Sequence, residues 1–255
     1  MIDAPGIFVM GTGTGVGKTV VAASIGLAAR ARGRTAVPLK PAQTGAPPVG
    51  DAEFAAALLG IDEPLEAIRP YDLAAPLAPM VAAELEGARL DPRVVGDAFA
   101  ALSSRYDLVV VEAAGGALVP FSDGVDMAAL AAMLGLPVVV AARPGLGTLN
   151  HTLLTLEALH RRGLTVLGVV ISGYPADPGP DALTNPSVLA RLTPLPLLGA
   201  IAEDPEIDVE AGRAGHLAEL GPAGLDPLLG GTFSPARFRR QAQERLAALD
   251  PVHRR

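Results

Sequence analysis

The 255-residue chain contains no cysteine. That absence excludes disulfides, a thiolate nucleophile and cysteine metal sites, and it is compatible with a reducing compartment. Tryptophan is also absent, and aromatics make up 4% of a chain that is 50% hydrophobic. The core must therefore be built mainly from Ala, Val and Leu, which suits strands covered on both faces by alanine-rich helices. No apolar run reaches the ~18 residues of a membrane span, because Gly, Pro or charge interrupts each one. Met1-Ile2-Asp3-Ala4-Pro5 has no basic segment ahead of an apolar stretch, so no secretory signal is read and a cytoplasmic location is expected. The four histidines, His151, His160, His216 and His253, show no zinc-ligand spacing. A net charge of −7 argues against nucleic acid as the main partner. The local exception is the Arg-rich end, with Arg237, Arg239, Arg240, Arg245 and His253-Arg254-Arg255. Its interleaved Phe238, Leu246 and Leu249 read as the buried side of a terminal amphipathic helix.

Against this background one stretch stands out, Val9-Met10-Gly11-Thr12-Gly13-Thr14-Gly15-Val16-Gly17-Lys18-Thr19. It places a glycine-rich phosphate cradle between an apolar strand-like run and a helix-like one. Glycines allow positive φ and bring backbone N–H groups up to phosphate oxygens, while the following helix adds its N-terminal partial charge. Residues 13–19 are the expected nucleotide contacts: Lys18 bridges the terminal phosphates, and the Thr19 hydroxyl ligates magnesium. Five residues separate Gly11 from Gly17-Lys18-Thr19, one more than in the general pattern, which points to a subclass.

Along the chain, Gly6–Met10, Thr35–Leu39, Asp107–Val111, Pro137–Ala142 and Leu164–Ile171 read as short buried strands. Between them, Val20–Ala31, stopped at Gly33, and Asn150–Arg161 have helical patterns, the latter with Leu153, Leu154, Leu156 and Leu159 expected on one covered side. Further helical stretches lie around Asp51–Leu59 and Arg93–Ser104. Continuous apolar strands alternating with helices signal right-handed βαβ units. The expected fold is a single α/β domain of P-loop NTPase type, a parallel sheet with helices on both faces. Residues 46–106 are read as substrate-side elaboration, and 202–255 as the nucleotide-base side plus a C-terminal helix. Ligands of such sheets bind outside the carboxyl ends of the strands. Four loops should then share one cleft: the phosphate loop, Lys40–Gly45, Glu112–Gly116 and Arg143–Thr148.

Bridged phosphates need a hard cation with oxygen ligands. Thr19, Glu112 and Asp51 are the candidate donors: Glu112 ends the apolar run Leu108-Val109-Val110-Val111, like a Walker-B carboxylate, and Asp51 follows Gly50. Asp51 reads either as a donor or as an ordinary helix cap. Lys40, at the carboxyl end of a strand, supplies a second cation, and two lysines on one transferring phosphoryl group stabilise its spreading charge. Lys18 and Lys40 are thus the candidate catalytic residues.

These motifs together resemble the dethiobiotin synthetases, the ATP-dependent carboxylases of biotin biosynthesis. The resemblance covers most of the first 200 residues. It rests on Gly11-Thr12-x-Thr14-x-Val16-Gly17-Lys18-Thr19, Lys40-Pro41-x-x-Thr44-Gly45, Val111-Glu112-x-Ala114-Gly115-Gly116 with Val119-Pro120, the segment Leu146 to Thr155, and Pro196-Leu197-Leu198-Gly199. It implies a homodimeric ligase that takes 7,8-diaminopelargonate, CO2 and Mg-ATP to dethiobiotin, ADP and phosphate, through a carbamate and a carbamic–phosphoric anhydride. It also implies that Thr44 and the backbone near Gly115 contact the carbamate, and that Leu149 and Asn150 meet the substrate's distal carboxylate. His151 is read as structural.

The chain departs from the family pattern at Gly13 and Gly15, where acidic residues occur, at Ala78, where serine is usual, and at Ser172. Relatives often carry an asparagine at the Ser172 position that reads the adenine edge. Two sibling readings use the same kind of phosphate loop. A cobyrinate diamide synthase-like amidoligase typically adds a glutaminase domain with a nucleophilic cysteine, and this chain has none. A regulatory ATPase of the division-site-positioning type carries a lysine early in the loop, whereas Met10 to Gly13 offer none.

Overall fold

The computed structural model describes residues 4–249. Its centre is a six-stranded sheet in which every neighbouring pair runs parallel. The strands are β1 (Gly6–Gly11), β2 (Ala36–Leu39), β3 (Leu108–Gly116), β4 (Val138–Ala142), β5 (Val166–Tyr174) and β6 (Leu197–Ala202), in the spatial order β6-β5-β4-β1-β3-β2. The sixth strand, β6, was not read from the pattern, since Leu197-Leu198-Gly199 is short and Gly199 interrupts its apolar face. Gly199 is needed there, because a Cβ on it would meet the Gly224 carbonyl oxygen at 2.4 Å.

Side-chain alternation along β1 divides the core. Ile7 and Val9 face one side, with Val21 and Ile25 of α1 (Lys18–Ala31) and Leu217 of α8 (Leu217–Ala223). Phe8 and Met10 face the other. There they join residues of α3 (Pro79–Leu85), α4 (Pro92–Ser103), α5 (Met127–Met133) and α6 (Thr148–Arg161). Both faces are thus covered, as continuous apolar strands require. Helix α2 (Asp51–Leu59) contributes to both clusters from the β2 edge. Beyond β5, α7 (Pro180–Leu192) packs against α9 (Pro235–Ala248). Tyr174 and Phe238 meet edge-to-face there, with ring centroids 4.9 Å apart.

Helix α1 stops as expected: Gly33 takes φ +77°, and its N–H bonds the Arg30 carbonyl at 2.9 Å. Three expectations are corrected. Gln43–Thr44, inside the expected Lys40–Gly45 loop, pairs as a two-residue strand with Asp72–Leu73. Glu112 lies within β3 and not at its end, because β3 continues past an irregularity to pair Gly116 with Gly11. On α6 the covered face is Thr148, Thr152, Thr155, Leu156 and Leu159, while Leu154 is 56% exposed. Leu156 and Leu159 are covered as expected, but Thr148, Thr152 and Thr155 share the buried face in place of Leu153 and Leu154. The Arg-rich helix exists as α9, with Ala242 its buried residue, while His253-Arg254-Arg255 lie outside the described residues. Among the described residues no helix is long and apolar enough to cross a membrane.

Candidate functional site

The chain places β3 and β4 on opposite sides of β1, so the loop after β1 opens at the point where strand order reverses. That loop turns into α1 through Gly15 and Gly17, with φ of +67° and +84°. Gly17 also has no space for a side chain, since a Cβ would stand 2.2 Å from Ser172 Oγ at the end of β5. Lys18, the first residue of α1, donates from Nζ to the Gly13 carbonyl at 2.9 Å. Burial lowers its pKa to about 8, against the opposing pull of Glu112 and with a further push from Lys40.

Three strands and helices bring the remaining charged groups together. Lys40 follows β2 and is 4% exposed. Its Nζ stands 2.5 Å from Asp51 Oδ2 and 2.7 Å from Glu112 Oε1. The Thr19 hydroxyl lies 3.0 Å from Asp51 Oδ1 and 3.1 Å from Glu112 Oε1. Asp51 is not the helix cap: that place belongs to Gly50, whose N–H donates to Glu53 Oε2 at 2.6 Å. Arg69 then holds Glu53 at 2.7 Å, and the Asp51 N–H donates to Gln43 Oε1 at 3.0 Å. The start of α2 is fixed by other residues, which leaves the Asp51 carboxylate free to turn inward.

Burial alone would lower the Lys40 pKa, but Glu112 and Asp51 more than offset it and hold the ammonium above its ordinary value. Burial would raise Asp51, and Lys40 overrides it to keep the carboxyl low. Glu112 goes the other way: burial and then the Asp51 charge push it up to about 7 despite Lys40. One cation between two carboxylates thus ionises one of them firmly and leaves the other poised to take a proton.

These groups line a cavity of about 750 Å³. Of the residues expected at the site, Thr14, Gly15, Gly17, Lys18, Thr19, Lys40, Thr44, Asp51, Glu112 and Gly115 are on its wall. Five are not. Gly13 lies off the wall with its carbonyl bonded by Lys18, Val16 is buried, and Ser172 is 7% exposed beneath Gly17. Leu149 and Asn150, in the first turn of α6, also lie off the cavity wall. The Arg143–Thr148 loop therefore does not share the cavity as expected; it reaches the phosphate loop through Arg143, whose Nη2 donates to the Thr14 carbonyl at 3.2 Å.

Sequence reasoning missed other wall residues. Pro76 to Pro79 line the cavity where α3 begins, and the Ala78-Pro79 pair was the signal available for them. Val209 and Glu210 arrive from a hairpin built by Ile207–Asp208 and Arg213–Ala214. The Glu210 carbonyl accepts the Val49 N–H at 3.2 Å, so this hairpin touches the loop ahead of α2. Nothing in its polar sequence marked it.

The donor set is two carboxylates and one hydroxyl, all oxygen. That set fits magnesium, which takes one or two carboxylates and completes its octahedron with water and phosphate oxygens. Among the described residues no group of three or more His, Cys, Asp or Glu is placed to hold a metal by itself.

Residues 5–211 match a family model described as an AAA domain. The ATP-dependent dethiobiotin synthetase of Anaeromyxobacter sp. (strain K) is 48% identical over 214 residues, which are 83% of this chain and 96% of that protein. The protein of the same name from Frankia casuarinae is 43% identical over 242 residues, 91% of this chain and 97% of that one. Among solved structures, the septum site-determining protein MinD complexed with Mg-ADP from Pyrococcus horikoshii OT3 is similar with a TM-score of 0.55 and 19% identity, over 97% of this chain and 98% of that one. Cobyrinic acid a,c-diamide synthase from Mycobacterium smegmatis, with bound ATP analog and magnesium, is similar with a TM-score of 0.50 and 19% identity, over 85% and 90% of the two chains. At such identities the two structures show a shared fold and nothing finer.

Proposed function

The chain belongs to the family of ATP-dependent dethiobiotin synthetases, and we propose that it carries out the dethiobiotin-forming reaction in the Lys18–Lys40 cavity, on 7,8-diaminopelargonate, CO2 and ATP. One amine of the substrate attacks CO2 and releases a proton, giving a carbamate. A carbamate oxygen then attacks the γ-phosphorus, the bond to the β-phosphate oxygen breaks, and ADP leaves. The second amine attacks the carbonyl of the resulting carbamic–phosphoric anhydride, the bond to phosphate breaks, the attacking nitrogen gives up a proton, and the ureido ring closes.

The observation that carries this reading is the convergence of two lysines and three oxygen donors on one cavity beside the phosphate loop. Lys18 is on the loop itself, where it bonds a backbone carbonyl that it can exchange for a phosphate oxygen. Lys40, held charged by Asp51 and Glu112, stabilises the negative charge that spreads over the transferring phosphoryl group. Thr19, Asp51 and Glu112 would hold magnesium, which neutralises phosphate charge when bound. Thr44 and Gly115 line the same cavity as the lysines, within which the Thr44 hydroxyl and the Gly115 backbone can position the carbamate.

Leu149 and Asn150 lie off this wall. They can serve a substrate's distal carboxylate from a second copy of the chain, and this is the role we give to a homodimer. Leu146, 95% exposed, and Leu154, 56% exposed, leave apolar surface on that same segment. A cytoplasmic location is part of this proposal, and the use of ATP as substrate supports it.

The test is phosphate release from Mg-ATP and bicarbonate, with and without 7,8-diaminopelargonate, with mass detection of the product. Diamine-dependent release with dethiobiotin formed is the expected result. Release indifferent to the diamine, without a ureido product, would overturn the reading in favour of an ATPase switch.

A further inference from the structure

We propose that Arg143 is a positioning residue of the phosphate loop, clamping the Thr14–Gly15 peptide so that the loop's N–H groups are set toward the nucleotide; this rests on the ATP-dependent reading above. Arg143 follows β4, whose Ala141 pairs with Gly11 and accepts the Thr12 N–H at 3.0 Å. The guanidinium is thereby brought beside the first half of the loop. Its Nη2 donates to the Thr14 carbonyl at 3.2 Å, and it stands 3.3 Å from where a Cβ on Gly15 would be. Any side chain at Gly15 would therefore crowd it, besides straining a backbone at φ +67°.

The arrangement has two parts that belong together. Lys18 and Arg143 bond consecutive loop carbonyls, Gly13 and Thr14, the first from inside the cavity and the second from off its wall. Among the described residues Arg143 makes no ion pair with a carboxylate, so its charge is not cancelled locally. The loop to which it belongs is in turn held by Asn185, whose Nδ2 donates to Pro144 O at 2.9 Å and Gly145 O at 3.1 Å. A cation on the Thr14 carbonyl polarises that peptide and strengthens the next N–H as a donor to phosphate. It also adds positive potential at the anion site without touching the transferring group.

Because ground state and transition state both lean on the loop, removing the clamp should weaken nucleotide binding more than chemistry. The expected result for Arg143→Ala is a KM for ATP raised roughly fivefold to twentyfold, with kcat within about twofold and an unchanged unfolding midpoint. Arg143→Lys should recover part of the loss, since it keeps the charge but not the planar fork. Millimolar methylguanidinium should lower the KM of Arg143→Ala and leave the parent unaffected. Calorimetric binding of a non-hydrolysable Mg-ATP analogue separates the failures. A parent protein that does not bind it would overturn the ATP reading itself, whereas equal binding by parent and Arg143→Ala would overturn only the clamp. A KM effect that follows a lowered unfolding midpoint, with no rescue by lysine or methylguanidinium, would likewise overturn it as a merely structural role.

Discussion

Replacing Lys40 by methionine removes the ammonium that stands between the part-exposed Asp51 carboxylate and the buried Glu112 carboxylate, at 2.5 and 2.7 Å, and keeps the volume of the stem. Breaking a buried pair by deleting one partner costs about 3–5 kcal/mol when the other charge has no escape. Here Glu112 has an escape, because its pKa already stands at about 7 against an ordinary 4.5. A carboxyl raised in the folded state withdraws stability as pH rises from its unfolded value through its folded one, since the fold retains a proton that the unfolded chain has released. Without Lys40 the Glu112 value climbs further, so in the variant that withdrawal continues above pH 7, where the parent's has ended. The gap between the two proteins should therefore widen by up to about 1.4 kcal/mol per pH unit above neutrality. Urea unfolding of the nucleotide-free proteins at pH 6 and pH 8 reads this directly. We expect Lys40→Met to lose about 3–5 kcal/mol at pH 8 and clearly less at pH 6. Millimolar magnesium should restore part of the loss at pH 8 in the variant alone, because the bare acidic pair is then open to a cation. Turnover should fall by about a hundredfold or more, as for other deletions of a charge-stabilising donor. A variant equally stable at both pH values would refute the electrostatic account of the cluster.

Gly17→Ala must accept φ +84° and a Cβ 2.2 Å from Ser172 Oγ, so it should cost more than about 2 kcal/mol and raise the ATP KM at least tenfold. Adding Ser172→Gly should relieve the clash and leave only the backbone strain of about 1–2 kcal/mol, measured by the unfolding midpoint. Ser172 is tucked beneath Gly17 and has a single hydroxyl, so ATP, GTP and CTP should support turnover with kcat/KM values within about tenfold of one another; a preference of about a hundredfold would mean that another residue reads the base. Gly221→Ala brings a Cβ to 2.5 Å from Ser24 Oγ between α8 and α1 and should destabilise by about 1–3 kcal/mol, with an unchanged ATP KM when assayed well below the midpoint.

The charged half of the site was legible because its signals are local. A glycine-rich loop, a lysine at a strand end and a carboxylate after four apolar residues each declare themselves within one element, and βαβ topology does the rest. The two readings of Asp51 required the structure, since its neighbours decide whether its carboxylate caps or turns inward, and Gly50 with Glu53 takes the capping role. The hairpin that brings Val209 and Glu210 to the wall was invisible, because two-residue strands carry no period and their position depends on a contact with Val49 some 160 residues earlier. The covered face of α6 was half legible: Leu156 and Leu159 are buried as expected, but the threonines that share their face carry no apolar signal in a sequence count.

The chain divides the labour of the site between its two halves. The lysines and oxygen donors come from the first half, on the carboxyl side of β1, β2 and β3. The second half holds the loop in shape: Ser172 lies under Gly17, Arg143 is on Thr14, Asn185 is on the Arg143 loop, and Gly221 lets α8 approach Ser24 on α1. Gly13, Gly15 and Ser172 are all in or against the phosphate loop, Gly15 on the cavity wall and Ser172 beneath Gly17. At Gly15 the missing side chain is what gives Arg143 its place. Changes there alter how firmly the backbone presents its N–H groups, an effect common to the bound nucleotide and the transition state, and so they act on affinity. Changes among Lys40, Asp51 and Glu112 act on charge that differs between those two states. Such a site can therefore accept substitution behind the loop while its chemistry stays fixed by Lys40, Asp51 and Glu112, whose side chains bond one another beside Thr19.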